Sequence, residues 1–290
     1  MNRFQDLTSA LLDLLHELQG TDIKLIIGGG FGIYLQAINV PQGSQPTVLQ
    51  ERPEPRSTSD LDLFLKPELL ITPGKLVPLS EAITRLHYDV VETAKNYQFV
   101  KPGPGGDKAG SIKIDLLTGP QSCFQGTPVK TDGHRAKPDP SVGIHAHLVN
   151  EAPTLEKGLL PIALAGNLSA GEACQAEVFL PHPYTFLMMK LFAFKDRYED
   201  KTKDYGRHHA LDLYSILATT IEKEWEYALQ LRDENKQDPY VVEAGKLVAE
   251  YFSDLDALGM IRLRESKYYR HEFQTEQFMS VLKELFPAKS

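Results

Sequence analysis

Two aspartates separated by a single leucine, Asp60 and Asp62 in "SDLDLFLK", are the residues of this chain best placed to do chemistry. Side chains alternate between the faces of an extended strand, so Asp60, Asp62 and Phe64 share one side while Leu61, Leu63 and Leu65 share the other. Two carboxylates on one face can bind a hard cation or bridge two of them. A third, Asp115, lies in "SIKIDLLTG", where Ile112, Ile114 and Leu116 form the apolar side of a second strand pattern. If the two strands are neighbours, three carboxylates converge. Such a cluster repels itself unless Mg²⁺ is present, and it is the arrangement used in two-metal phosphoryl transfer. An edge strand with one solvated face is the competing reading of the same spacing.

The turn "IIGGGFG" precedes these strands and lacks both dinucleotide-loop spacing and the Gly-Lys-Ser/Thr of a P-loop. A glycine turn that opens a helix nonetheless offers amide N–H groups to phosphate oxygens, which points to Gly28 and Gly29 as a phosphate seat or as a tight turn only. Ser57, Thr58 and Ser59 lead into Asp60, where a hydroxyl can meet a phosphate or cap a turn. Arg56 has three open roles: holding the acidic strand, meeting phosphates, or forming a surface ion pair. Lys190 and Arg197, seven residues apart, fall on one helix face and can together meet a triphosphate or form a charged rim, while Lys195 projects elsewhere. In "KDYGRHHALDLYSIL", Asp204, His208, Asp212 and Ser215 follow one helical side, and Asp212 is placed to orient a lysine or arginine of the preceding helix. His208 and His209 diverge on a helix, His145 and His147 share a strand face, and Cys123 and Cys174 match no metal cluster, so zinc is disfavoured.

The elements that must position these residues follow from periodicity. Leu7, Leu11, Leu14, Leu15 and Leu18 predict a helix stopping at Gly20, "KLII" predicts a short strand, and "FGIYLQAI" a helix after the glycines. Residues 39–56, rich in proline, glutamine and serine, predict a loop. "VPLSEAITRLHYDVVET" predicts a helix running toward a strand near Val90, and "YQFVKPGPGGDKAGSIKIDLLTG" a strand, glycine-rich turn and strand. Residues 119–140 predict a surface segment acting as a domain boundary or inserted flap. "VGIHAHLV" and "AEVFLPHP" predict further strands, and from Tyr184 the pattern is helical to the end. The fold class is α+β, with an α/β domain over residues 1–180 and a helical domain over 181–290 that completes the cleft.

Composition limits the functional classes. At 290 residues with 42% hydrophobic and 24% charged residues, the chain reads as an ordinary globular protein able to bury a core. A net charge of −8 argues against coating nucleic acid through bulk positive charge, leaving local patches such as "KTDGHRAK" or "RLRESKYYRHE" as acceptor contacts. The opening "MNRFQDLTSALLDLLHELQG" resembles neither a signal peptide nor a membrane span, which predicts a soluble cytoplasmic protein with no membrane partner.

The order of these motifs resembles the nucleotidyltransferase superfamily related to DNA polymerase beta, and within it the AbiEii/AbiGii-type toxin nucleotidyltransferases. The resemblance covers roughly residues 20–220 and rests on Gly28 and Gly29, on Ser57, Ser59, Asp60 and Asp62, on Asp115 in "KIDLL", on Lys190, and on "KDYGRHHALDLYSI". It implies a nucleotidyltransferase-like mixed β-sheet with flanking helices. It also implies transfer of a nucleoside monophosphate from an NTP, with Mg²⁺ or Mn²⁺ on Asp60, Asp62 and Asp115. Gly28, Gly29, Ser57 and Ser59 would then locate the phosphates, Lys190 and Arg197 would offset their charge, and Asp212 would stand beside the site. The implied acceptor is RNA, including a tRNA 3′ end, or a protein hydroxyl, with a cognate antitoxin as partner in a toxin–antitoxin or phage-defence setting. A nucleotide-binding regulatory or partner-binding protein that has lost catalysis is the alternative. The chain departs from the family in the long 39–56 link and in the wide spread of Arg197, Asp204, Arg207 and Asp212.

Overall fold

The computed structural model describes residues 3–94, 96–103 and 110–288. The first helix, α1 (Arg3–Glu17), buries Leu7, Leu11, Leu12 and Leu14 as its leucine spacing requires. The strand that follows is only β1 (Ile26–Ile27), after which α2 (Gly29–Asn39) begins directly on the glycines. The aspartate strand is β2 (Asp60–Leu65), and α3 (Pro67–Ile71), α4 (Val77–Arg85) and β3 (Asp89–Val90) come next. Then β4 (Gln98–Lys101) and β5 (Ile112–Thr118) pair antiparallel. Of the glycine-rich turn expected between them, residues 104–109 lie outside the described residues.

Residues 119–140 are not a domain boundary. They carry β6 (Lys130–Thr131) and β7 (Arg135–Lys137), a hairpin whose second strand pairs with β8 (Ala146–Leu148) and so extends the sheet. Two longer strands complete it, β9 (Leu160–Asn167) and β10 (Ala173–Leu180), paired antiparallel along their full length. The pattern "LPIALAGN" of β9 escapes a reading by composition because proline, alanine and glycine dilute its strand character. Its buried Ile162 and Leu164 nevertheless alternate with exposed neighbours. Among the described residues, ten strands form one mixed sheet in the order β6-β7-β8-β5-β2-β1-β10-β9, with β4 on β5 and β3 on β4. At Gly166 a Cβ would stand 3.1 Å from Leu12 and 3.2 Å from Thr8, which shows how closely α1 approaches β9.

Two compact units emerge. The sheet unit comprises Met1–Gly32, Ser57–Asn150 and Leu159–Leu180; the helical unit comprises Ile33–Arg56, Glu151–Gly158 and Pro181–Ser290. In the helical unit, α5 (Pro183–Lys195) packs on α6 (Arg207–Leu217), α7 (Glu222–Asn235) and α8 (Pro239–Tyr251), and α9 (Leu258–Arg264) and α10 (Thr275–Leu285) close the bundle. Tyr184, Tyr214, Phe194, Phe252, Phe278 and Phe286 are fully buried there. The continuous helical pattern after Arg207 breaks between α6 and α7. Thr219 and Thr220 return their hydroxyls to the Ile216 carbonyl at 3.0 and 2.7 Å, and Glu224 receives the Ile221 N–H at 3.1 Å to start the next helix.

The 39–56 link has no regular element, as its composition predicts, but it is fastened rather than loose. Arg52 donates to the carbonyls of Ala37 at 3.2 Å, Ala218 at 3.3 Å and Val40, capping the ends of α2 and α6. Val48 N–H donates to Thr220 O at 2.9 Å, and Leu49 is fully buried. Among the described residues, no helix is long and apolar enough to cross a membrane.

Candidate active site

In the sheet unit, β2 and β5 are parallel neighbours, with Asp62 opposite Asp115 and Asp60 opposite Lys113. Register partners on parallel strands point the same way, so Asp62 and Asp115 share a face, and strand alternation adds Asp60 to it. The opposite face holds Leu61, Leu63, Ile114 and Leu116, all fully buried. Burial of those four side chains, about 1.5–3 kcal/mol each, fixes the register, because a slip of one residue would expose them and bury the acids. Arg3 clamps the entry to both strands. Its guanidinium donates to Ser59 O at 3.2 Å and to Ser111 O, the carbonyls immediately before the two acidic strands.

The glycine turn is built around Asp62. Gly28 N–H donates to Asp62 O at 2.8 Å, and Gly32 N–H donates back to Gly28 O at 2.8 Å as α2 starts. Gly29 has φ +61°, and a Cβ there would lie 1.6 Å from Asp62 Oδ2. At Gly28 a Cβ would lie 2.6 Å from the Phe64 ring. The two glycines therefore seat the second aspartate's side chain and leave the head of α2, with its positive end, beside a carboxylate. Ser59 and Ser57 are exposed, and Ser59 Oγ donates to Asp60 Oδ1 at 2.9 Å.

Asp115 carries the strain of this arrangement. Its Oδ1 is buried with no hydrogen-bond partner, while Gln98, opposite it on β4, hydrogen-bonds the carboxylate. Burial, then the charges of Asp62 and Asp60, raise its pKa to about 7 against the opposing influence of Lys113 and Gln98. Among the described residues, no three His, Cys, Asp or Glu side chains already group as a metal cage. Nonetheless, an orphaned carboxylate oxygen beside two further carboxylates is an oxygen donor set suited to a hard divalent cation. Neither the cross-strand register nor Gln98 leaves a trace in local sequence.

In the helical unit, Lys190, Asp212, Arg197 and Arg56 come together. Asp212 is 1% exposed and Lys190 6% exposed. Arg56 donates through Nε to Asp212 Oδ1 at 2.7 Å and through a terminal nitrogen to Oδ2 at 2.8 Å, and Lys190 Nζ donates to Oδ2 at 2.7 Å. Burial alone would raise the Asp212 pKa; Arg56 and Lys190 outweigh it and hold the carboxyl far below the ordinary range. Arg197 lies 3.2 Å from His209 Nε2, and His209 Nδ1 stands 4.0 Å from Asp212 Oδ2. Burial, followed by Lys190, holds His209 well below its usual pKa, so the imidazole is neutral. Asp212 thus meets Lys190 of the preceding helix, and the ion pair of Arg56 with it is partly buried, its carboxylate end enclosed. Of Asp204, His208, Asp212 and Ser215, the last three lie on α6 and Asp204 Oδ2 stands 3.7 Å from His208 Nε2. Asp204 precedes α6 with φ +56°, and Ser215 Oγ is returned to the Leu211 carbonyl at 2.8 Å. His145 and His147 stay with the sheet unit, where His147 lies 5.7 Å from the Tyr97 ring.

No family model and no curated protein matches the chain. Two solved structures are similar. One is the crystal structure of an antigenic nucleotidyltransferase-like protein from Paracoccidioides brasiliensis, 15% identical over 89% of this chain and 93% of that one, with a TM-score of 0.44. The other is the solution structure of the antibiotic-resistance factor ANT(2'')-Ia, 13% identical over 82% of this chain and 100% of that one, with a TM-score of 0.35. Neither superposes closely enough to carry an activity across.

Three outcomes follow from the geometry. Gly29→Ala should cost about 1–3 kcal/mol in urea unfolding and more than Gly20→Ala, since Gly20 also has positive φ but nothing within 4 Å of an added Cβ. The folded protein keeps the Asp115 proton up to about pH 7, whereas an unfolded aspartate releases it near pH ~4. Between those values the unfolded chain binds fewer protons, so this residue makes stability fall as pH rises. Without divalent cations, Asp115→Asn should therefore flatten the melting-temperature profile and exceed the wild type in slightly alkaline buffer; parallel profiles would refute this. Asp212→Ala leaves the buried Lys190 and the half-buried Arg56 without their counter-charge and should cost about 3–5 kcal/mol in the same unfolding assay.

Proposed function

We propose that the chain is a nucleotidyltransferase of the DNA polymerase beta-like superfamily, moving a nucleoside monophosphate from an NTP to a hydroxyl of RNA or protein. The observation that carries this reading is the pairing of Asp62 with Asp115 on adjacent parallel strands, with Asp60 on the same face and Asp115 Oδ1 buried and unpartnered. A carboxylate cluster of this kind is costly unless it serves a cation, and the glycine turn beside it offers helix-head amides to anionic oxygens.

Asp60, Asp62 and Asp115 would hold Mg²⁺ or Mn²⁺, which when bound supplies charge neutralisation at the phosphates and makes an attacking hydroxyl more acidic. The acceptor hydroxyl would release its proton to solvent as its oxygen attacks the α-phosphorus in line, the bond to the bridging oxygen breaks, and pyrophosphate leaves. Ser57, Ser59, Gly28 and Gly29 are the proposed locators of the phosphates. Lys190 and Arg197 are the proposed offsets of triphosphate charge, with Asp212 and Arg56 fixing the direction of the Lys190 ammonium. An AbiEii/AbiGii-type role, with a tRNA 3′ end as acceptor and a cognate antitoxin as partner, is the finer form of the proposal. A nucleotide-binding protein without turnover is the second reading, favoured by the three carboxylates not yet forming a closed cage.

Incubation with each α-labelled NTP, Mg²⁺, total RNA and cell protein separates these readings. Label should pass to RNA or to protein with at least one nucleotide, and Asp60→Ala or Asp62→Ala should lower transfer by about 100-fold or more while the variants remain folded. Equal transfer by a folded Asp62→Ala variant would remove the site assignment, and no transfer with any nucleotide would favour binding without turnover.

A further inference from the structure

A cavity of about 420 Å³ in the sheet unit contains none of the residues assigned to transfer. Its walls are mostly apolar, with Leu70 and Leu76 from the chain between β2 and β3, Val129 before β6 and Val142, and Thr72 and His145 among them. Volumes of this order suit a small organic molecule rather than a water cluster. The rim has a different character. Lys130 and Lys137 both line the cavity and are direct partners across the β6–β7 hairpin.

Like charges directly opposite each other on paired strands are unfavourable without a counter-charge. Asp132 supplies part of one, accepting Lys137 Nζ at 2.6 Å, but it is shared with Arg135. Asp139, also on the rim, is turned into its own chain, where its Oδ1 receives Ser141 N–H at 2.9 Å and Ser141 Oγ at 2.8 Å. Lys130 is exposed and has no ion-pair partner among the described residues. A mostly apolar pocket lined by an ammonium with no ion pair among the described residues suits an apolar body carrying one anionic head.

We infer that this cavity is a binding site for a small amphipathic carboxylate, its ring or chain among Leu70, Leu76, Val129 and Val142 and its carboxylate at Lys130 and Lys137. The site is independent of the nucleotidyltransferase reading, since it neither shares that reading's residues nor requires turnover.

Calorimetric titration of the full chain with 2-naphthoate, and with the neutral 2-naphthylmethanol, tests it. Naphthoate should bind at one site per chain, and the alcohol about tenfold more weakly or worse. Lys130→Ala, a change at an exposed side chain, should weaken naphthoate about fivefold to tenfold without affecting the alcohol. Thr72→Trp, which places a ring in the cavity wall, should abolish both while the melting temperature is retained. Equal affinity for the two probes, unchanged naphthoate binding by Lys130→Ala, or no binding at millimolar probe would overturn the assignment. Amide NMR shifts confined to residues outside the cavity would overturn it as well.

Discussion

The sheet unit depends on one electrostatic conflict, the parallel pairing that sets Asp62 beside Asp115 with Asp60 on the same face. Two like charges in register on adjacent strands oppose the pairing that brings them together. The pairing persists because the reverse face buries Leu61, Leu63, Ile114 and Leu116, which a one-residue slip would expose. The conflict is relieved in different ways at the three positions. Asp60 accepts Ser59 Oγ, Asp62 lies against the glycine turn at the head of α2, and Asp115 is driven toward the protonated form. Arg3 adds a mechanical element, holding the carbonyls at the entry to both strands from the first turn of α1.

The helical unit has its own polar centre in an otherwise apolar interior. Asp212 is surrounded by Arg56 and Lys190, with His209 and Arg197 just beyond, while Tyr214 on the same helix stacks on Phe273 at 4.3 Å between centroids. Burying such an ion pair gains little net stability over an apolar replacement, but it fixes direction: the Lys190 ammonium has one bonded orientation, and Arg56 brings the end of the long link to a defined place. The proline- and glutamine-rich link is thus a strap, held by Arg52 at two helix ends and terminated by Arg56 in the ion pair.

Much of this was legible in the sequence, and the limits have physical causes. The alternation of "SDLDLFLK" foretold the burial of Leu61, Leu63 and Leu65, though Phe64 on the acid face is buried as well, and the leucine repeat foretold α1, because both patterns are local and driven by burial. The mixed sheet with flanking helices and a helical C-terminal region appears as expected. By contrast, the hairpin within residues 119–140 and the strand β9 are local pairings hidden by their composition. Proline and glycine content pointed away from them. Glycines 28 and 29 were readable as a turn, yet their tightest neighbours, Phe64 and the carboxylate of Asp62, are set by tertiary contact. Arg56 illustrates the same limit, since its partner lies 156 residues away.

The conflict at Asp115 can be measured without any substrate. The side-chain carboxyl carbon of ¹³C-labelled Asp115, identified by its loss in Asp115→Asn, can be titrated by NMR with and without Mg²⁺. A midpoint near pH 7 in the absence of metal, moving down by about one unit or more when Mg²⁺ is added, is the result expected of a carboxylate held for a cation. An ordinary midpoint near ~4 that Mg²⁺ leaves unmoved would contradict both the conflict and the metal role built on it.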